Sequence, residues 1–244
     1  SEKPSVATVS AAGVITGKAP GTTNVVAKLG KLVSVSASVQ VEGEMGTWKK
    51  SGGKWWFQLD DGSYPYSQWA QIDGDWYHFD HSGYMQTGWL KLGKSWYYLK
   101  SSGPMAEGWQ KVGGAWYYLN PGSGVMATGW KQVGGTWYYL KGSGAMATGW
   151  QKVGGSWYYL KGSGAMAVGW QKVGATWYYL KGSGAMATGW RQIDGHWYFL
   201  SSSGAMVKNK WVGNYYLTGS GAMATNTWIG KYHVNAAGKW DQTR

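Results

Sequence analysis

The chain has 244 residues, 43% of them apolar and only 14% charged, enough for one large domain or two small ones. It has no Cys, which excludes a disulfide framework, thiol chemistry and a Cys-ligated metal, and no apolar run approaches the ~18 residues of a membrane span. Lys and Arg number 23 against 11 Asp and Glu, a net charge of +12 that suits an anionic partner: a nucleic acid, a membrane surface or an anionic envelope polymer.

The chain opens SEKPSVATVS, which lacks the pattern of a signal peptide. Either a leader has been removed or this is a piece of a longer protein. Residues 1–45 contain no Trp or Tyr and are rich in Val, Ala, Ser and Thr. Val6–Val9, Gly13–Ile15, Asn24–Ala27 and Leu32–Ser36 are expected to be short strands separated by Gly and Pro. The run VATVSAAGVITGKAPGTTNVVAKLG, followed by VSVSASVQV, resembles the second half of a bacterial immunoglobulin-like domain. That family's opening strands have no counterpart here, so the resemblance implies a partial Ig-like segment, or a linker, over 1–45.

From about Gly46 the chain repeats at a period close to 20 residues. Gly129–Thr148 is GWKQVGGTWYYLKGSGAMAT, Gly149–Val168 is GWQKVGGSWYYLKGSGAMAV, and Gly169–Thr188 is GWQKVGATWYYLKGSGAMAT. Ten copies open at Trp48, Trp69, Trp89, Trp109, Trp130, Trp150, Trp170, Trp190, Trp211 and Trp228. The middle copies are nearly identical and the end copies are degenerate, as capping units of a stacked array are. Each copy has the form of a β-hairpin. GWKQV is one strand, the following GG, GA or DG is a tight turn, TWYYL is the second strand, and KGSGAMATG is the link onward. A single two-stranded hairpin is marginal in water, so the expectation for 46–244 is a β-solenoid in which stacked hairpins share a core.

The 20 Trp and 18 Tyr stand against 3 Phe. Phe fills a core as well as Trp does. The bias therefore points to rings used at a wet surface, where a polar handle and an electron-rich face matter. Side chains alternate faces along a strand. Trp137 and Tyr139 then share one face and Tyr138 takes the other. Trp130 and Trp137 are expected to form two walls of a pocket, with Tyr158 projecting back from the next copy as the third. Met146 in the linking loop is expected to pack against this box through its sulfur. A three-walled aromatic box is a receptor for quaternary ammonium, which is cationic but donates no hydrogen bond. The alternative is that these rings only glue hairpins together, a role Phe or Leu would fill equally well.

The pattern GWxxxxxxWYYLxxxGxMxTG resembles the choline-binding repeat of cell-wall proteins from pneumococci, related bacteria and their phages. The resemblance covers about 200 residues in ten copies. It implies a left-handed solenoid and a choline site between consecutive copies, made by two Trp from one and a Tyr from the next, often with a Met. The implied boxes are Trp48/Trp55/Tyr77, Trp69/Trp76/Tyr97, Trp89/Trp96/Tyr117 and Trp109/Trp116/Tyr138. They continue as Trp130/Trp137/Tyr158, Trp150/Trp157/Tyr178, Trp170/Trp177/Tyr198 and Trp190/Trp197/Tyr215, with Met146, Met166 and Met186 alongside. The last two copies shorten to WVGNYYL and WIGKYHV, so Asn214 and Lys231 stand where the second Trp belongs. Trp211 and Trp228 therefore lack a second wall. In the first copy Trp56 takes the place of the first Tyr, with no earlier copy to close.

Catalysis has little support. His78 and His233 align with the second Tyr of other copies, His196 falls in a turn, and His81 stands apart. Asp60, Asp61, Asp73, Asp75 and Asp194 sit at or near expected turns, where Asp is a usual residue. No cofactor or metal is expected, and no membrane insertion. Single-stranded nucleic acid suits a basic, aromatic chain, but here the aromatics are locked to a hairpin repeat. The resemblance implies a secreted, non-catalytic module that holds choline or phosphocholine of teichoic and lipoteichoic acids at the bacterial cell surface. Two alternatives stand beside it: an α-glucan-binding repeat, and the targeting module of a murein hydrolase whose catalytic domain lies outside this chain.

Overall fold

The computed structural model describes residues 1–244 apart from 5, 11, 18–20, 30, 31, 34, 35 and 42. The chain divides into two compact units, Ser1–Ala127 and Thr128–Arg244. Every regular element among the described residues is a strand, as the sequence implies.

In the first unit, Ala7–Val9 pairs with Ile15–Gly17 and Gly21–Val25 with Ala37–Val41. Lys28–Leu29 and Leu32–Val33 form a minimal ladder. The strand expected over Gly13–Ile15 is displaced toward the C-terminus. Gly13 has φ +80° and its amide donates to the carbonyl of Ser10 at 2.9 Å, so it is a turn residue and the strand begins at Ile15. The strand expected at Asn24–Ala27 is Gly21–Val25. Of the one expected at Leu32–Ser36, only Leu32–Val33 is a strand, and 34 and 35 lie outside the described residues.

From Gly46 each copy is an antiparallel hairpin. In the first unit these are Gly46–Ser51 with Lys54–Leu59, Trp69–Ile72 with Asp75–His78, Gly88–Leu92 with Ser95–Leu99, and Gly108–Val112 with Ala115–Leu119. The second unit starts with Gly129–Val133 and Thr136–Leu140, and ends with Thr227–Ile229, Tyr232–Val234 and Trp240–Thr243 in one three-stranded sheet. The two-residue turns need positive φ. Gly154 and Gly155 supply it at +55° and +80°, and in the copy opened by Trp190 Asp194 takes +49° before Gly195 at +81°.

The link between hairpins is hydrogen-bonded at both ends. The amide of Ala167 donates to Tyr159 of its own hairpin, while that of Met166 donates to Trp137 of the preceding one, both at 2.8 Å. Gly164 permits this approach: a Cβ there would lie 2.2 Å from the Met146 sulfur. In the copies opened by Trp130, Trp150 and Trp170 the buried core is not aromatic. It is the Leu ending each WYYL and the Ala after each Met, with Leu160, Ala167, Leu180 and Ala187 all fully buried. Trp and Tyr are thereby left for the faces of the hairpins.

Candidate aromatic boxes

The register sets which rings can meet. Trp150 lies opposite Tyr159, and Lys152 opposite Trp157. Strand alternation places these four on one face and Gln151 and Tyr158 on the other. Trp150 and Trp157 stand at right angles, 6.5 Å between centroids and 87° between planes. Tyr178, from the back of the next hairpin, approaches Trp150 to 4.8 Å at 66°. Three walls from two consecutive hairpins thus converge as expected. The same arrangement joins Trp130, Trp137 and Tyr158, with Trp130 6.5 Å from Trp137 and 4.8 Å from Tyr158. It joins Trp170, Trp177 and Tyr198 at 6.4 and 4.9 Å, and Trp190, Trp197 and Tyr215 at 6.5 and 5.3 Å. In the first unit, Trp89 meets Trp96 at 6.3 Å and Tyr117 at 4.7 Å. Trp109 and Trp116 pair at 6.4 Å and 89°, and Tyr138 belongs to the second unit.

The two opening copies differ. Trp48 reaches Tyr77 at 4.9 Å and Trp69 reaches Tyr97 at 5.2 Å. Among the described residues the right-angle Trp–Trp contact begins only at Trp89. Trp55 and Trp76 stand exposed on the same face as Trp48 and Trp69. The Lys50 ammonium lies 5.4 Å from the Trp55 ring, and the Lys91 ammonium 5.6 Å from Trp96. Burial raises the pKa of Tyr77, with Asp75 and Asp73 adding to the shift.

The walls are accessible. The second Trp of each regular copy keeps about two-fifths of its surface in solvent, 41% for both Trp137 and Trp157. The box at Trp190, Trp197 and Tyr215 is closed by Met223 and Ala237 around a cavity of about 360 Å³. Here the sequence reading is corrected. The methionine of a box comes from the loop after its Tyr, one copy later than expected. The Met166 amide is anchored to the Trp137 carbonyl and the Met186 amide to that of Trp157. Met166 is therefore the partner of Trp130/Trp137/Tyr158, while the Met146 sulfur lies against Gly164. A loop's landing point one hairpin back leaves no signal in local spacing.

No carboxylate lines the Trp190 cavity, so attraction for a cation there rests on ring faces. Two of the histidines, His78 and His233, take structural places. His78 is buried opposite Trp69, with Nδ1 2.6 Å from Gln86 Oε1, and His233 pairs with Asp241 at 2.7 Å. Among the described residues no group of three or more His, Cys, Asp or Glu is placed to hold a metal. At the C-terminal end, the Arg244 guanidinium lies 4.6 Å from the Trp228 ring, so this chain's own cation occupies that face.

Comparison with known proteins agrees with this geometry. Choline-binding repeat models match residues 67–106, 87–128, 127–168, 167–211 and 205–240. No curated protein sequence matches the chain. Among solved structures, choline binding protein F of Streptococcus pneumoniae, in the presence of a peptidoglycan analogue, is 31% identical. The match covers 85% of this chain and 96% of that one, with a TM-score of 0.62. CbpJ from the same organism is 30% identical over 91% of this chain and 100% of its own, with a TM-score of 0.63. The modular autolysin LytC of S. pneumoniae is 33% identical over 81% of this chain and 47% of its own, with a TM-score of 0.63. The repeats, their spacing and the paired aromatic walls place the chain in the choline-binding repeat family.

Proposed function

We propose that this chain is a non-catalytic attachment module. It holds the protein that carries it to a bacterial cell wall by taking choline groups of teichoic and lipoteichoic acids into its aromatic boxes. Residues 46–244 form the binding part, and 1–45 serve as an Ig-like spacer. The observation that carries this reading is the right-angled Trp pair with a Tyr from the next hairpin, as at Trp150, Trp157 and Tyr178. Such walls suit a trimethylammonium group, each face contributing ~0.5–1 kcal/mol when exposed and ~2 kcal/mol or more when desolvated. One box is weak, but an array on a polymer carrying many cholines gains through high effective concentration. The charge of +12 attracts the polymer's phosphates while the boxes hold its cholines. The similarity to choline binding protein F, determined with a peptidoglycan analogue, agrees with a cell-surface location.

The test is retention on a tertiary-amine matrix at high salt and release by free choline. A chain of this charge is repelled by a cationic support, and salt removes ion exchange, so retention reports the boxes. Flow-through on that matrix with retention on dextran would move the assignment to α-glucan. Release of reducing ends or free amino groups from purified walls by the pure chain would show an activity that the module reading excludes.

A further inference from the structure

The repeat pattern absorbs every Trp but two, Trp56 and Trp240. Trp240 opens the C-terminal strand Trp240–Thr243, and its amide donates to the carbonyl of Asn214 at 2.8 Å. In the regular copies this seam joins a Met amide to the carbonyl of the second Trp, as Met223 joins Trp197 at 2.7 Å. The backbone seam is the same at Trp240, but both side chains have changed. Asn214 stands where a hairpin Trp belongs, and Trp240 stands where a loop Met belongs. The hairpin opened by Trp211 is short, with Val212 opposite Tyr215 across the Gly213–Asn214 turn, so a second wall has to come from elsewhere.

Trp240 supplies it. The Tyr232 ring lies 5.8 Å from Trp211 at 81° and 5.9 Å from Trp240 at 89°. With Gly213 and Asn214, the three rings line a cavity of about 320 Å³, close to the 360 Å³ of the Trp190 box. Trp240 remains 44% exposed, and its indole N–H donates to the Gln242 carbonyl at 2.9 Å. That bond fixes the ring and leaves its face to the cavity. Lys231 places its ammonium 5.3 Å from the Tyr232 ring but does not line the cavity. Trp228 differs, since Arg244 covers its ring.

We propose that Trp211, Tyr232 and Trp240 form an additional quaternary-ammonium box, closed by the C-terminal strand and not by a second Trp of its own hairpin. It rests on the reading of the regular boxes as choline sites. Asn214 is a lining residue of a kind absent among Trp190, Trp197, Tyr215, Met223 and Ala237.

The test uses crystals of the full chain soaked in (2-bromoethyl)trimethylammonium and read by bromine anomalous scattering. A peak among Trp211, Tyr232 and Trp240, together with one at Trp150, Trp157 and Tyr178, is expected. Filled regular boxes with no peak at Trp240 overturn the proposal. Peaks nowhere overturn the choline reading beneath it. In solution, equilibrium dialysis counts choline per chain. Trp240→Met, which restores the residue type used at this seam elsewhere, is expected to lose one site. Asn214→Trp added to Trp240→Met rebuilds the regular pair and is expected to recover it. A full count in Trp240→Met overturns the wall role.

Discussion

The copy opened by Trp48 and the copy opened by Trp150 share a hairpin register, yet they use their aromatics differently. Around Trp48 the rings close a core: Phe57, Ala70, Ile72 and Phe79 are buried together, and Trp48, Tyr77 and Met85 pack against them. Trp48 contacts Phe57 at 5.1 Å and stacks on Phe79 at 6.0 Å. Around Trp150 there is no Phe. Leu160 and Ala167 fill the interior, and Trp150 faces Trp157 and Tyr178 across an open box. Two of the three Phe of the chain lie in that opening cluster. In the opening cluster the fully enclosed rings are Phe57 and Phe79, whereas Trp150 and Trp157 of the middle copy stay partly wet. The opening copy thus packs its rings as a core would, while the middle copies hold theirs as open, right-angled walls.

Substitutions sharpen the contrast. Phe79→Ala should destabilise the first unit by ~3–5 kcal/mol, since the ring is fully buried. Chemical denaturation would measure this, and a near-neutral result would break the idea of a Phe-built opening core. Trp157→Ala should cost no more than about 1 kcal/mol of stability because the ring is two-fifths exposed. Its box should lose up to roughly 30-fold in choline affinity, the equivalent of ~2 kcal/mol for one desolvated face. Calorimetric titration of the variant would show one weakened site beside unchanged neighbours.

A third contrast is protonic. Burial holds the His78 imidazole below its ordinary 6.5, only partly offset by Gln86 and Asp80. The unfolded chain therefore takes up this proton more readily than the folded one. The stability that neutral His78 supports is complete above about pH 6.5 and is lost as pH falls through 6.5 toward the lower folded value. The middle copies carry Tyr at this place, as at Tyr159, and have no such step. Hydrogen exchange at pH 5 against pH 8 should show the Trp69 hairpin opening more readily in acid and the Trp150 hairpin unchanged. His78→Tyr should remove the difference. The smallest effect is expected at Lys91, whose ammonium competes for the Trp96 ring. Lys91→Gln should tighten the Trp89 box two- to threefold, about 0.5 kcal/mol. Unchanged affinity would show that the lysine leaves the ligand's face clear.

The hairpins and the faces of their rings were legible because both follow from local rules. A two-residue glycine turn sets the register, and alternation then puts Trp150, Trp157 and Tyr159 on one face and Tyr158 on the other. The approach of Tyr178 to Trp150 also followed, since one period of the repeat carries the back of one hairpin to the front of another. What the sequence hid was set by where a loop lands. The Met of a box comes one copy later than adjacency suggests, because its amide reaches back to the preceding hairpin. Trp240 carries no local sign of its place for the same reason. It lies beyond the last recognisable WYYL pattern, and only the seam to Asn214 shows which place it holds. The opening core is hidden in the sequence because three Phe are negligible in the composition, although two of them, Phe57 and Phe79, lie in one buried cluster.

The seam through which each loop Met holds the previous hairpin also bears on how such chains change length. Met166 to Trp137 and Met186 to Trp157 are the same junction at nearly the same distance, with the same glycine clearance at Gly164 and Gly184. Removing residues 149–168 would bring a Thr176–Leu180 strand and its Met186 loop against Trp137, the same donor meeting the same acceptor. A chain that gains or loses one such copy therefore keeps every junction of this kind intact. The number of boxes, and with it the strength of attachment, is then a quantity that can drift by whole units between generations while the design of each box stays fixed.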